Sequence, residues 1–325
     1  MKTAKEILVL INDHLNALSY DREPGSLYEP IRYTLDMGGK RLRPALMLQA
    51  YNIYREDPES ILPQACALET YHNFTLLHDD LMDNAPVRRG KPTVHKQWDA
   101  NTAILSGDAM LSLAFQRMLE KCPENCLRAV MELFTETTLL IDEGQQMDME
   151  FETRDDVAEE EYIEMIRLKT SVLLACALKM GALLANAPAE DAEQLYQFGI
   201  SLGLAFQLQD DYLDVYGDPT IFGKSIGGDI LCNKKTYMLI NALNRADEQQ
   251  RQEMNRWLND KNSDAKEKIA AVTHLYNKIG IDQLAKQKIE QYFDQAHQQL
   301  TALNVDEQRK QILVDYMNDM MNRRK

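Results

Sequence analysis

Two stretches of this 325-residue chain place three carboxylates within five positions: Asp79-Asp80-Leu81-Met82-Asp83 and Asp210-Asp211-Tyr212-Leu213-Asp214, both reading DDxxD. On a helix, positions i and i+4 share a face, so Asp79 stands beside Asp83 and Asp210 beside Asp214. Like charges at that spacing repel, and a helix gains nothing from them unless a cation sits there. An all-oxygen, carboxylate-rich donor set suits Mg²⁺, which takes one or two carboxylates, substrate phosphate oxygens and water. Apolar residues surround both motifs: Leu76 and Leu77 before the first, Phe206, Leu208, Tyr212 and Leu213 around the second. Charges in that company are costly, and costly charges point to function. The doublet Asp155-Asp156 is the contrast, because it lies in the acidic stretch 153–161 and reads as a solvated connection.

The chain is acidic, with 36 Lys and Arg against 51 Asp and Glu and a net charge of −15, which excludes nucleic-acid binding by bulk electrostatics. Positive charge nevertheless gathers in three places. Gly38-Gly39-Lys40-Arg41-Leu42-Arg43-Pro44 is a glycine turn, three cations and a helix-starting proline. Arg88-Arg89-Gly90-Lys91 follows the first acidic motif, and Lys224 and Lys234-Lys235 follow the second. A glycine turn frees backbone N–H groups, and Arg and Lys add charge-assisted donors for phosphate. Cations beside Mg²⁺-collecting carboxylates describe a diphosphate site.

The elements that must hold these residues read as helices. All ten prolines lie at or before Pro219, and seven lie at or before Pro92. Long proline-free stretches rich in Ala, Leu, Met, Glu, Gln and Lys favour helix, and no run alternates cleanly enough to predict significant sheet. The pattern predicts helices over Lys2–Ser19, Pro44–Tyr54, Glu59–Asp83, Trp98–Lys121, Pro123 to about Phe151, Val157–Ala187 and Ala189–Val215. Four or five shorter helices are expected in the C-terminal third. Long helices joined by short turns imply an all-α, antiparallel bundle, and the absence of a Gly, Ser or Pro-rich linker implies one domain over 1–325. The apolar run Ile7–Ile11 is too short to cross a bilayer and no small-residue cleavage site follows it, so no membrane insertion and a cytoplasmic location are expected. The five cysteines are too few and too scattered for a disulfide framework, and the Cys122/Cys126 pair reads as free thiols at a helix boundary.

Five segments together resemble the trans-isoprenyl diphosphate synthases, the polyprenyl synthetase family. They are GGKRLRP (38–44), HNFTLLHDDLMDNAPVRRGKPTVH (72–95), Lys169-Thr170, FQLQDDYLD (206–214) and FGKSIGGDILCNKKT (222–236). The resemblance covers essentially the whole chain. It implies an all-helical bundle of the isoprenoid synthase type with a central cavity, usually a homodimer. It also implies head-to-tail condensation of isopentenyl diphosphate with an allylic diphosphate. By position, Asp79, Asp80, Asp83, Asp210 and Asp214 would hold Mg²⁺, three ions in all, with Asp211 assisting. Arg88, Lys169 and Lys234 would bind the allylic diphosphate, with Lys224 nearby. Lys40, Arg43, His72 and Arg89 would bind the other diphosphate. Thr170 and Gln207 would face the reacting carbon. Lys235 and Arg41 stay outside this set. His78 reads as ordering the first motif by hydrogen bonding rather than as a base. The alternatives on the same fold are a longer-chain synthase and a non-catalytic regulatory subunit.

Chain length would be set below the first motif. At about 1.5 Å per residue, Phe74 lies roughly 7.5 Å and Tyr71 roughly 12 Å below Asp79 along a helix. Rings there would form a floor for the growing tail. One aromatic at Phe74, Thr75 after it and an uninterrupted DDLMD look most like geranylgeranyl diphosphate synthases, so a C20 product is expected ahead of C15.

Overall fold

A computed structural model describes residues 2–218, 226–260 and 262–322. Helix dominates. The order is α1 (Ala4–Ala17), α2 (Gly25–Asp36), α3 (Leu42–Tyr54), a 3₁₀ turn Pro58–Ile61, α4 (Leu62–Met82), α5 (Val94–Gln97), α6 (Ala100–Leu119) and α7 (Glu124–Phe151). Then come α8 (Glu159–Ile166), a π turn Arg167–Ser171, α9 (Val172–Leu184), α10 (Ala189–Tyr216), α11 (Gly228–Leu231), α12 (Tyr237–Arg245), α13 (Glu248–Asn259), α14 (Ala265–Ile279), α15 (Ile281–Thr301) and α16 (Glu307–Met321). Among the described residues the strands are β1 (Val87–Arg88) and β2 (Lys91–Pro92), an antiparallel hairpin pairing Val87 with Pro92 and Arg88 with Lys91. No helix among them is long and apolar enough to cross a membrane, and all five cysteines are free.

The chain forms two compact units: Met1–Phe134 with Ala177–Glu193 and Asn304–Leu313, and Thr135–Cys176 with Gln194–Leu303 and Val314–Lys325. In the first unit α4 is the central rod. Ala65, Cys66, Ala67, Leu68 and Tyr71 are all at or below 1% exposure. A helix apolar on every side belongs in a core, and α4 packs against α6 on one side and α3 on another. In the second unit α10 presents buried Leu202, Leu204, Ala205 and Leu208. Each unit therefore holds one acidic motif on one deeply buried helix.

Three departures from the sequence-based expectation have physical causes. Helix α2 is not among the helices expected from the sequence, and Pro24 and Pro30 weigh locally against it. Pro24 serves as its N-cap and Pro30 sits inside it, where Pro30, Ile31, Thr34 and Leu35 form one buried stripe. That burial outweighs the single hydrogen bond Pro30 cannot donate. The helix expected over Val157–Ala187 is interrupted by the π turn. The C-terminal third shows six helices among the described residues rather than four or five. Asp247 and Asp264 cap two of them, and Gly280 at φ 88° separates α14 from α15.

Candidate active site

Both DDxxD motifs occupy the last turns of their helices. Asp83 is the C-cap of α4, and Asn84 at φ 51° ends the helix. Asp210–Asp214 lies in the last two turns of α10. A helix C-terminus carries partial negative charge, so three carboxylates there add dipole repulsion to their mutual repulsion. Cations must offset both. The two motifs also share an orientation: the second Asp of each is turned inward, with Asp80 and Asp211 both 5% exposed. Asp79 keeps 23% of its side chain exposed, and Asp83 is exposed.

Arg88 supplies the first offset. Its Nε donates to Asp80 Oδ2 at 2.7 Å, and its Nη2 lies 3.9 Å from Asp79 Oδ2. The β1–β2 hairpin aims it. Arg89 and Gly90, the two turn residues, have φ of 52° and 78°, as a two-residue I′ turn requires. Thr93 Oγ1 donates to Ala85 O at 2.7 Å and Tyr33 donates to Pro92 O at 2.8 Å, which ties the hairpin down.

Arg89 in turn reaches the glycine loop and donates to Gly38 O. Gly39 sits at φ 146°, a backbone that favours glycine, and a Cβ there would lie 2.9 Å from the Arg89 guanidinium, which would have to shift. Arg41, set aside on sequence, is the loop's anchor. It has left-handed backbone at φ 50° and is 6% exposed. Its Nη1 pairs with buried Glu69 Oε1 at 2.8 Å and its Nη2 donates to Leu35 O at 2.9 Å. Asn73 Nδ2 donates to Glu69 Oε1 at 3.2 Å and fixes that carboxylate.

Around this anchor the expected cations converge. Arg43 Nη1 lies 3.0 Å from His72 Nε2. A guanidinium only donates, so Nε2 accepts and the imidazole proton sits on Nδ1. Burial, then Arg43, Arg89 and Arg88, hold the His72 pKa well below 6.5, and burial pushes Arg43 down to about 10. Arg43 Nε is buried with no hydrogen-bond partner. An unsatisfied guanidinium donor beside further arginines calls for an anion. The depressed pKa has a thermodynamic consequence. Below pH 6.5 the unfolded chain takes up a proton that folded His72 refuses, so His72 destabilises the fold progressively on the acid side. Thermal melts should show wild type losing more stability than His72→Asn between about pH 7 and about pH 5; parallel profiles would contradict this.

In the second unit the Lys169-Thr170 pair lies in the π turn. Two helix-interior glycines let other helices close on it. A Cβ on Gly203 of α10 would sit 2.6 Å from Ser171 Cα, and one on Gly144 of α7 would collide with the Lys169 backbone nitrogen. Lys169 Nζ pairs with Asp148 Oδ2 at 2.6 Å. Thr170 Oγ1 donates to Gln207 Oε1 at 3.2 Å, and Gln207 Nε2 donates to Asp211 Oδ1 at 3.1 Å. Tyr162 donates to the other Asp211 oxygen. Burial, with Asp229 nearby, pushes Asp211 up to about 7. Asp214 Oδ2 accepts from the Asp229 backbone N–H at 3.0 Å, so the segment bearing Lys234 folds back onto the motif. Lys234 is exposed, and Lys224 lies outside the described residues.

The expected floor residues form part of a larger aromatic cluster. The Tyr71 ring stands 5.5 Å from Phe74 and 5.5 Å from Phe134, which stands 4.9 Å from Phe115. Phe74 also packs 4.7 Å from the His78 ring. Thr75 Oγ1 donates back to His72 O at 2.8 Å. His78 turns toward α6: its Nε2 lies 3.2 Å from Ile104 O, and its ring fills the space a Cβ on Gly107 would need. It fixes α4 to α6.

Sequence reasoning missed Glu69, Arg41, Asp148, Tyr162, Asp229, Phe115 and Phe134. Glycines at 107, 144 and 203 inside helices were the readable signal, since a helical glycine costs about 1 kcal/mol relative to alanine unless something packs there. The donor set suits Mg²⁺: every motif ligand is a carboxylate oxygen, and among the described residues no cage of three or more His, Cys, Asp or Glu is already assembled. Mg²⁺ needs no such cage, because phosphate and water complete its shell.

The sequence model of the family described as Polyprenyl synthetase matches residues 24–276. The chain is 45% identical to the geranylgeranyl diphosphate synthase of Methanosarcina mazei over 224 residues, 68% of this chain and 69% of that one. It is 35% identical to the geranylgeranyl diphosphate synthase of Saccharolobus solfataricus over 295 residues, 90% of this chain and 88% of that one. A solved geranylgeranyl pyrophosphate synthase matches it with a TM-score of 0.94 at 42% identity, covering 100% of both chains.

Proposed function

The chain belongs to the polyprenyl synthetase family, and from that premise we propose that it is a prenyltransferase making a short all-trans prenyl diphosphate, C20 ahead of C15. It condenses isopentenyl diphosphate head-to-tail with dimethylallyl, geranyl and farnesyl diphosphates. The observation that carries this reading is the crowd of arginines around neutral His72, on the same helix that ends in Asp79 and Asp83. Cations and metal-collecting carboxylates along one helix are what a diphosphate substrate with Mg²⁺ requires.

Asp79, Asp80, Asp83, Asp210 and Asp214 would hold Mg²⁺, with three ions proposed and Asp211 assisting, and the buried Asp80 and Asp211 also brace the motifs from inside. When bound, Mg²⁺ neutralises charge on the departing diphosphate. Arg88, Lys169 and Lys234 would bind the allylic diphosphate, as the family resemblance implies; Lys224, the fourth cation of that set, lies outside the described residues. Asp148 holds the Lys169 ammonium in place at 2.6 Å. Lys40, Arg43 and Arg89 bind the diphosphate of isopentenyl diphosphate. His72 can donate Nδ1–H to it, because Arg43 occupies Nε2. The allylic C–O bond breaks heterolytically, and the double bond of isopentenyl diphosphate attacks the resulting cation. A proton then leaves to the released diphosphate. Thr170 and Gln207 would face that cation, and the Asp211–Gln207–Thr170 hydrogen-bond chain keeps them oriented. The whole chain acts as one catalytic domain, as a cytoplasmic homodimer whose assembly sedimentation would read.

Purified protein with Mg²⁺, labelled isopentenyl diphosphate and each allylic primer in turn should yield a C20 product by chromatography. No incorporation, or a product of C30 or longer, would overturn the reading. Phe74→Ala should lengthen the product by one or more isoprene units while total turnover survives, since it opens the Tyr71–Phe74–Phe134 cluster. An unchanged product would remove Phe74 from the floor.

A further inference from the structure

The first unit holds an open cavity of about 510 Å³ that shares no lining residue with the candidate active site. It opens between the segment joining α1 to α2 and the last turns of α6. Tyr20, Tyr28, Leu113 and Leu119 give it apolar and aromatic walls. Arg22, Arg117 and Glu120 give it charge. Small-molecule sites are commonly about 300–1,000 Å³, mostly apolar, with a few convergent polar groups.

Arg117 is the group that asks for a ligand. It is 8% exposed, and among the described residues no carboxylate pairs with it. Its Nη1 donates to Thr70 Oγ1 at 2.9 Å and its Nη2 to the Tyr20 hydroxyl at 2.7 Å. Both acceptors are neutral. The guanidinium carbon lies 5.3 Å from the Tyr20 ring centroid. Arg41, equally buried in the same unit, pairs directly with Glu69. A desolvated guanidinium is costly without an anion, and hydroxyls with a ring offset only part of that cost. At the same cavity the exposed Arg22 lies 5.8 Å from the Tyr28 ring.

We propose that this cavity binds a small organic anion. A carboxylate or phosphate head meets Arg117 and Arg22, and an apolar or aromatic body lies against Tyr20, Tyr28, Leu113 and Leu119. Glu120 on the wall disfavours heads of high negative charge, which sets this ligand apart from a diphosphate substrate.

The test titrates the full-length protein with phenylacetate, with phenyl phosphate and with neutral benzyl alcohol. Mg²⁺ and inorganic diphosphate are held at saturation so that the reaction site is occupied. Calorimetry should show saturable, one-to-one binding of at least one anion, with benzyl alcohol at least about tenfold weaker. The stronger anion identifies the head group. Arg22→Glu, at an exposed position, should weaken binding roughly tenfold, and Leu113→Trp should abolish it by filling the space, both with turnover unchanged. Saturable binding by neither anion, or equal affinity in wild type and both variants, would mean that Arg117 is a structural arginine and would remove the site.

Discussion

Asp79→Ala and Asp210→Ala should each lower turnover on the order of a thousandfold or more, with little loss of folding. The two halves of that expectation come from the same geometry. Asp79 keeps 23% of its side chain exposed, and its contact to Arg88 is 3.9 Å, while Asp80 takes the 2.7 Å bond. Removing Asp79 therefore breaks no strong structural contact to Arg88 and relieves repulsion at a helix C-terminus. Asp210 holds the same motif position on α10, one residue before buried Asp211. Its loss should leave the Tyr162–Asp211–Gln207 bonds intact. The inner carboxylates behave differently: Asp80→Ala would strand Arg88 and Asp211→Ala would strand Tyr162, so those variants should lose stability as well as rate. Steady-state rates at saturating Mg²⁺, beside thermal melts, separate the two classes. Near-normal turnover of Asp79→Ala or Asp210→Ala would sink the metal assignment.

Glu69→Ala should cost about 3–5 kcal/mol of stability, because it leaves the buried Arg41 guanidinium without its anion. The pair is 2.8 Å apart with side chains 6% and 3% exposed, so solvent screens it little. The loss should also reach substrate binding. Arg41 starts α3 from a left-handed backbone and tethers the Gly38–Gly39 turn through Leu35 O. Once it is loose, Lys40 and Arg43 lose their fixed approach, and KM for isopentenyl diphosphate should rise more than KM for the allylic primer. Replacing both partners by apolar residues, Arg41→Met with Glu69→Leu, should recover much of the stability but not the KM. Urea unfolding reads the first effect and initial rates the second. A Glu69→Ala loss below about 1 kcal/mol would show the pair to be replaceable.

The acidic motifs, the three basic clusters and the all-α class were legible because each depends on residue type at short spacing. Two carboxylates four apart share a helix face whatever surrounds the helix, and a stretch without proline favours helix before any packing is known. The polyprenyl synthetase resemblance rested on the same local segments, and the family match bears it out. Helix α2 was not legible, since Pro30 argues locally against what Ile31 and Leu35 gain only when buried. Nor was the π turn at Lys169, which two glycines on distant helices make room for.

Sequence by itself thus determined which chemistry this chain brings: oxygen ligands, cations and helices to mount them. The tertiary structure decided how each of those residues is used. It chose Asp80 and Asp211 as the inward carboxylates, gave Lys169 to Asp148, made Arg41 an anchor through Glu69, and gathered Phe134 onto Tyr71 and Phe115 onto Phe134. Every one of these is a pairing between residues far apart along the chain or a burial set by a neighbouring helix. Such contacts depend on chain segments meeting in space, which short spacing does not encode.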